Sequence, residues 1–566
     1  MSTIRRLYLY GVSAVALVLL AVGAASLLQL AFERVLRAAT DRAIIGGEID
    51  RELLALSVAL LLVGLPLWLI HWWLAERSVR RDTPDAEPER RSVMRAVYLA
   101  GVATVSLIFL TTQGTTLVST LLGEPIGSEA WSIPVADSLA RVLVLLAVIA
   151  FHLRARHLDV VTGPITGAAA WVSRLYLYGA ILGGAFVGLW GVSDAIQDLG
   201  NAVLGLSVVA FGTGFRWGIA NAIALVAVGG LVWATHAWYA HRLPAAGDWR
   251  GEAERTSMVR AAHGVIATGV ATVLVIFAAA TTLGWLIAEP LGVAETTGTA
   301  EAIQQTIGPL VAMLPFLVGG WLFARGTLRE AEAFRGPDAR IAARRSVRLT
   351  VAAVGLAIGS VGLGRALGVT LEAAFGPTAL ATTAYKDEVA SLVPFGIVGL
   401  GTWLVAWALV LRDGARDRLA EARSMVRRVY LFLVFGSSVT AAGLALAVLI
   451  YQGLRLALDI ASVGAWELSQ PLVIVAMGTI GLVYHGLVLR GDAAVRAAVE
   501  APVPELAPIA ETVSTATEHA VEELLIEAPV GADFEPVNQV LREHLPLGWS
   551  MRVVHHGAGA GGGAGR

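Results

Sequence analysis

The chain has 566 residues, 56% of them hydrophobic and only 15% charged, with a formal net charge of −2 and a mean hydropathy of +0.70. Soluble domains carry about 25% charged residues, so this composition excludes an ordinary soluble protein and reads as a polytopic membrane protein. The near-neutral balance offers no basic field for nucleic acid. The absence of cysteine excludes disulfides, thiolate nucleophiles and cysteine-ligated metal centres.

Leu7–Phe32 runs 26 residues without a charge, longer than the roughly 20 needed to cross a bilayer core. It is also longer than the roughly 7–15 apolar residues of a signal peptide, so it is expected to stay in the protein. Leu53–Ala75 and Val97–Gly123 follow as second and third spans. The fourth is weaker. Only Val142–Leu153 is uncharged, so Arg141 must snorkel or lie against protein for it to cross. The fifth ends in GVSDAIQDLG (Gly191–Gly200). The next stretch, LGNAVLGLSVVAFGTGFRWG (Leu199–Gly218), reads either as a re-entrant or interfacial piece or as a helix continuation. Further spans are read at Ala261–Ala288, Ile303–Ala324, Val389–Leu411, Val429–Leu454 and Leu468–Leu489. Each must be a helix, because a lone strand in lipid leaves its backbone unsatisfied. Pro inside GLPLW, MLPF and LVPF predicts kinks, and GLAIGSVGLG (Gly355–Gly364) predicts close helix packing. Beyond Arg490 the chain turns polar, with helical spacing over Glu511–Ile526 that predicts a short amphipathic helix in a flexible tail.

Repeats organise these spans. Tyr8, Tyr98, Tyr176, His263, Arg348 and Tyr430 mark helix starts at intervals of 90, 78, 87, 85 and 82 residues, each holding two helices. RLYLYG occurs at Arg6–Gly11 and again at Arg174–Gly179, 168 residues on. S-x-x-R entries start at Ser92, Ser257 and Ser424, 165 and 167 apart. H-x-W-x-A-x-R starts at His71 and His236, 165 apart. The expectation is an all-α membrane protein of about twelve helices in six hairpins. These form three tandem four-helix modules, 1–165, 166–335 and a divergent 336–495, before a cytoplasmic tail, 496–566. Connections between hairpins carry 26 arginines from Arg77 to Arg428, against seven basic residues within hairpins. Basic loops stay cytoplasmic, so both termini are expected there.

RLYLYG opening a long apolar helix, a paired span ending in H-x-W-x-A-x-R, and the S-x-x-R-x-x-Y restart resemble a bacterial membrane-domain family, domain of unknown function 5671, in tandem copies. The resemblance implies a multi-pass protein of the bacterial cytoplasmic membrane. It brings no catalytic residues.

Residues that could carry chemistry fall into three groups. His71, His152, His236 and His485 sit near the cytoplasmic ends of second helices, where a histidine can ligate haem, relay protons or simply bond at the interface. Arg365, Glu372, Asp194, Asp198 and Gln113 lie inside spans, where polar groups are costly and serve either a solute path or helix pairing. Arg6, Arg77, Arg95, Arg174, Arg242, Arg260, Arg427 and Arg490 are expected to anchor the cytoplasmic interface. Lys386 is the single lysine and is not in a P-loop, and no H-E-x-x-H occurs. The reading is a non-enzymatic protein with the lipid bilayer as partner and no cofactor, acting as a solute or ion pathway or as a scaffold or sensor. A haem- or quinone-binding redox protein is the alternative.

Overall fold

The computed structural model describes residues 3–39, 48–80, 86–206, 213–294, 298–375, 382–458, 463–500 and 539. The chain divides into a helical unit, Met1–Ala501, and a second unit, Pro502–Arg566. The tail helix expected over Glu511–Ile526 lies outside the described residues.

Among the described residues there is no strand, and the α-helices fall into three series of five. The first holds α1 (Thr3–Ala39), α2 (Glu48–Arg80), the short α3 (Ala86–Arg90), α4 (Val93–Gly123) and α5 (Glu129–Thr162). The second holds α6 (Gly167–Val203), α7 (Thr213–Arg242), the short α8 (Trp249–Arg255), α9 (Met258–Leu291) and α10 (Thr299–Arg335). The third holds α11 (Pro337–Phe375), α12 (Thr383–Arg416), the short α13 (Arg418–Arg423), α14 (Met425–Ala457) and α15 (Ala465–Glu500). Twelve of these helices are long and apolar enough to cross a membrane. The three short ones form elbows between the hairpins of each module.

Two ambiguities resolve locally. α5 forms across its weak segment, because Arg141 pairs with Asp137 one turn away at 2.7 Å and stays half exposed. The stretch 199–218 is helix continuation at both ends, completing α6 through Val203 and opening α7 at Thr213; residues 207–212 lie outside the described ones. One boundary moves: α15 runs to Glu500, past the limit of 495 read from the sequence. Helix persists through Pro66, Pro315 and Pro394.

Each module repeats one packing scheme. Its first helix packs on the second, third and fourth, and the third and fourth pair with each other. In lipid there is no hydrophobic drive between helices, so close backbone approach through small residues carries the contact. The first hairpin crosses at one recurring glycine, Gly64, Gly229 or Gly399, spaced 165 and 170. A Cβ on any of them would collide with a backbone nitrogen of the partner helix, that of Leu20, Gly188 or Gly359 respectively. Those three positions are themselves in register, 168 and 171 apart.

Gly229→Leu is therefore expected to force α6 and α7 apart and cost about 1–3 kcal/mol, as overpacking does. The adjacent Gly230, which has open space where a Cβ would stand, is the control. Thermal unfolding in detergent should show a lowered Tm for Gly229→Leu and little change for Gly230→Leu.

Candidate functional site

At the start of each third helix stands a serine N-cap, Ser92, Ser257 or Ser424, and three residues on a buried arginine, Arg95, Arg260 or Arg427. Ser257 and Ser424 accept the arginine's own backbone N–H through their hydroxyls at 3.3 Å. The cap fixes the first turn and so aims the guanidinium back under the elbow. Arg95 is fully buried. It donates to both carboxylate oxygens of Asp159 on α5, at 2.7 and 3.0 Å, and to Glu76 on α2 at 3.0 Å. Arg260 pairs with Glu330 on α10 at 2.9 Å and donates to the Tyr178 hydroxyl and the Ala240 carbonyl at 3.0 and 2.9 Å. Arg427 donates to Asp492 on α15 at 2.8 Å.

A second arginine completes each centre through the elbow. Glu89, Glu254 and Glu421 on α3, α8 and α13 are buried. They take Arg6, Arg174 and Arg345 of the module's first helix at 2.9, 3.0 and 2.6 Å. Tyr178 also donates to Glu254. An aromatic face lies over each central guanidinium: Trp72 over Arg95 at 5.5 Å and Trp407 over Arg427 at 5.4 Å. In module two the matching position is Ala237, and Phe334 of α10 covers Arg260 instead, at 5.6 Å. The α8 elbow has its own cap. Asp248 accepts from the Arg250 backbone at 3.0 Å and from its guanidinium at 2.7 Å. Arg250 holds the Asp248 carboxyl below the usual carboxylate range, so this stabilising contact persists at neutral pH and is lost only as pH falls through that lowered value.

The eight arginines expected as interface anchors thus divide. Arg95, Arg260 and Arg427 are corrected to buried ion-pair centres, because protein carboxylates rather than headgroups surround them. Arg6 and Arg174 are half-buried in the same centres. Arg77, Arg242 and Arg490 are exposed, and Arg77 and Arg242 lie over Trp73 and Trp238 at 5.1 and 3.9 Å, as anchors at an aromatic belt would.

The four histidines share one geometry. Nδ1 of His71, His152, His236 and His485 donates to the carbonyl four residues back, at 2.7–2.9 Å. That fixes the tautomer and leaves Nε2 as an acceptor. Tyr8, Tyr98 and Tyr176 donate to Nε2 of the first three at 3.3, 3.3 and 3.1 Å. These are the tyrosines that mark helix starts, so the repeat motif and the histidine are the two halves of one hydrogen bond. In module three the Tyr430 hydroxyl instead accepts from Trp403 Nε1 at 3.1 Å. His485 Nε2 has no hydrogen-bond partner among the described residues and sits among the rings of Trp403, Trp407, Tyr430 and Tyr484.

The intramembrane polar residues do not converge. Gln113 lines an apolar groove of about 740 Å³ between α1, α4 and α5, together with Arg141. Arg365 is exposed on α11 with its guanidinium 5.0 Å from the Trp466 ring. Glu372 is half-buried one helical stretch further on. Asp194 and Asp198 are half-buried near the end of α6. Neither they nor Arg365 reach the groove that holds Gln113. Among the described residues no group of three or more His, Asp or Glu is placed to hold a metal.

Sequence reasoning missed the six carboxylates. The elbow glutamates had a signal: Glu89, Glu254 and Glu421 stand three residues before the capping serines and repeat at the same 165 and 167 intervals. Asp159, Glu330 and Asp492 had a weaker one, since they lie 64, 70 and 65 residues beyond their arginines.

Twelve long apolar helices with one ionic centre built three times define a multi-pass helical membrane protein of tandem modules. A family model matches residues 6–132, 174–318 and 345–480, and each match opens on the arginine that pairs with its elbow glutamate. The chain belongs to the family described as domain of unknown function DUF5671, present in three tandem copies. No curated protein and no solved structure matches it.

Two outcomes follow from the geometry. Glu254→Gln removes the charge shared by Arg174, Tyr178 and Arg260, and is expected to cost about 3–5 kcal/mol, the scale for breaking a buried pair; the exposed Glu87→Gln should leave the unfolding midpoint nearly unchanged. Tyr98→Phe removes only the donor to His152 and is expected to cost about 1 kcal/mol, read by denaturant titration in mixed micelles.

Proposed function

We propose that this protein is a non-enzymatic scaffold of the bacterial cytoplasmic membrane, with both termini and all three elbows on the cytoplasmic side. The observation that carries this reading is the destination of its buried charge. The buried arginines Arg95, Arg260 and Arg427 and the buried acids Glu89, Glu254, Glu421, Asp159 and Asp492 pair within their own modules and join helices there to one another. Solute pathways place charge at a shared midplane cavity. Here Gln113, Asp194 and Arg365 lie on three different helices, and neither Asp194 nor Arg365 lines the groove that holds Gln113. The redox alternative has less support, since three of the four histidines have both ring nitrogens engaged by protein. The arginine bias of the loops between hairpins supports the orientation.

The test is ion and solute flux in proteoliposomes, with wild type beside Arg365→Ala. The scaffold reading expects flux equal to empty vesicles and no effect of the substitution. Flux that falls with Arg365→Ala would establish a pathway instead. Reporter fusions after Glu500 should be active only in the form that reads the cytoplasm.

A further inference from the structure

The contact between modules uses one set of helix pairings twice, and the second contact adds α10 against α11. α4 packs on α6 and α7 of the next module, and α9 packs on α11 and α12 of the one after. Both copies have the same chemistry at the far helix end. Arg216 at the start of α7 donates to the Leu122 and Glu124 carbonyls that end α4, at 3.2 and 3.4 Å. Lys386 at the start of α12 donates to the Leu291 carbonyl that ends α9, at 3.3 Å. A cation from the next module thus satisfies the orphan carbonyls and the negative end of the helix dipole. Nearer the middle, Gly114 of α4 faces Val228 of α7, and Phe277 of α9 lies ring to ring with Phe395 of α12 at 5.0 Å. Towards the elbows, Gly269 of α9 closes on Thr350 of α11.

Both halves of this interface recur at the first and third modules, where no long helix of another module packs substantially on them among the described residues. Arg51 of α2 stands in register with Arg216 and Lys386, at the same 165 and 170 intervals as the crossing glycines. It is exposed. Counting from the buried arginines Arg95, Arg260 and Arg427, Leu446 of α14 matches Gly114, Leu444 matches Phe277 and Gly436 matches Gly269. Leu444 and Leu446 are 66% and 49% exposed, and Gly436 has open space where a Cβ would stand. On the opposite end, Val63 matches Val228 and is 52% exposed, and Gly11, the match of Thr350, is equally open. Gly11 also lines the 740 Å³ groove of module one. Neither α14 nor α2 packs substantially on a helix of another module.

We infer that the occupant of both open ends is a second copy of this chain: α14 of one molecule seats against α1 and α2 of the next, with Arg51 capping the last carbonyls of α14. The contact is head to tail, so it propagates copy after copy rather than closing a symmetric pair. It supplies the partner for the scaffold reading and rests on that reading for its use, though its geometry comes from the repeated interface alone.

The natural absence of cysteine gives a clean background for disulfide trapping. Val63→Cys and Leu446→Cys, both on exposed faces, are made separately and the two chains co-expressed and oxidised in membranes. The expected result is a dimer in the mixture, none from either single variant, and a ladder from the double variant. Adding Arg51→Glu should lower the dimer yield about fivefold, the effect of losing one cation at a helix C-terminus, while Arg34→Glu should not. No dimer in the mixture, dimers from either single variant, or a bridge formed within one chain would each overturn the proposal. Those results leave the scaffold reading standing, whereas Arg365-dependent flux would remove that reading and leave the head-to-tail contact intact.

Discussion

The buried arginine at the third residue of each third helix is the constraint from which the rest of the architecture follows. A guanidinium taken out of water must find carboxylates or cost several kcal/mol. Arg95 meets this by drawing Asp159 of α5 and Glu76 of α2 to one point. The elbow glutamate then ties in the first helix through Arg6. Four long helices and a short elbow are thereby joined at one end of the module. Further in, where lipid supplies no hydrophobic drive, glycines let the first hairpin cross at backbone contact. The ionic end sets which helices meet, and the glycines set how close they come.

Three copies of one centre show what it tolerates. The fourth-helix acid is Asp, Glu and Asp in turn, and the longer side chain at Glu330 still reaches Arg260. The aromatic cover moves from α2 or α12 to α10 when Trp gives way to Ala237. Tyr178 joins the centre of module two as a further hydrogen-bonding partner, whereas the same register position in module three is Leu349, packed in an apolar cluster. What persists is the charge pattern and its burial. The histidine–tyrosine bond is less persistent. In the fourth hairpin a ring contact between His263 and Phe323 stands in its place; in the fifth the histidine position is Ala406, and Arg348 pairs with Asp413 further along α12.

The helices, their grouping and the family were legible in the sequence because they depend on local signals. Long uncharged runs define spans, and short motifs at constant offsets define modules. The centres were less legible because their partners are distant. Asp159 lies 64 residues from Arg95, and the equivalent separation in module two is 70, so no fixed spacing announces the pair. Arginines next to apolar helices resemble headgroup anchors, and only burial separates Arg95 from the exposed Arg77. The histidines stayed open between haem ligation, proton relay and interfacial bonding because their tyrosine partners lie 54–63 residues away and serve in the sequence as marks of helix starts. Arg365 and Asp194 stood out for their cost in a span, yet sequence position gave no direction for either side chain.

The account stands on the claim that the buried arginine and its fourth-helix acid act as one unit. A double-mutant cycle on Arg427→Met and Asp492→Leu, followed by reversible unfolding in mixed micelles, measures that directly. The predicted coupling is about 2 kcal/mol or more, with the double variant more stable than either single one. Additivity within about 0.5 kcal/mol would contradict it and would reduce the centres to incidental contacts at the helix ends.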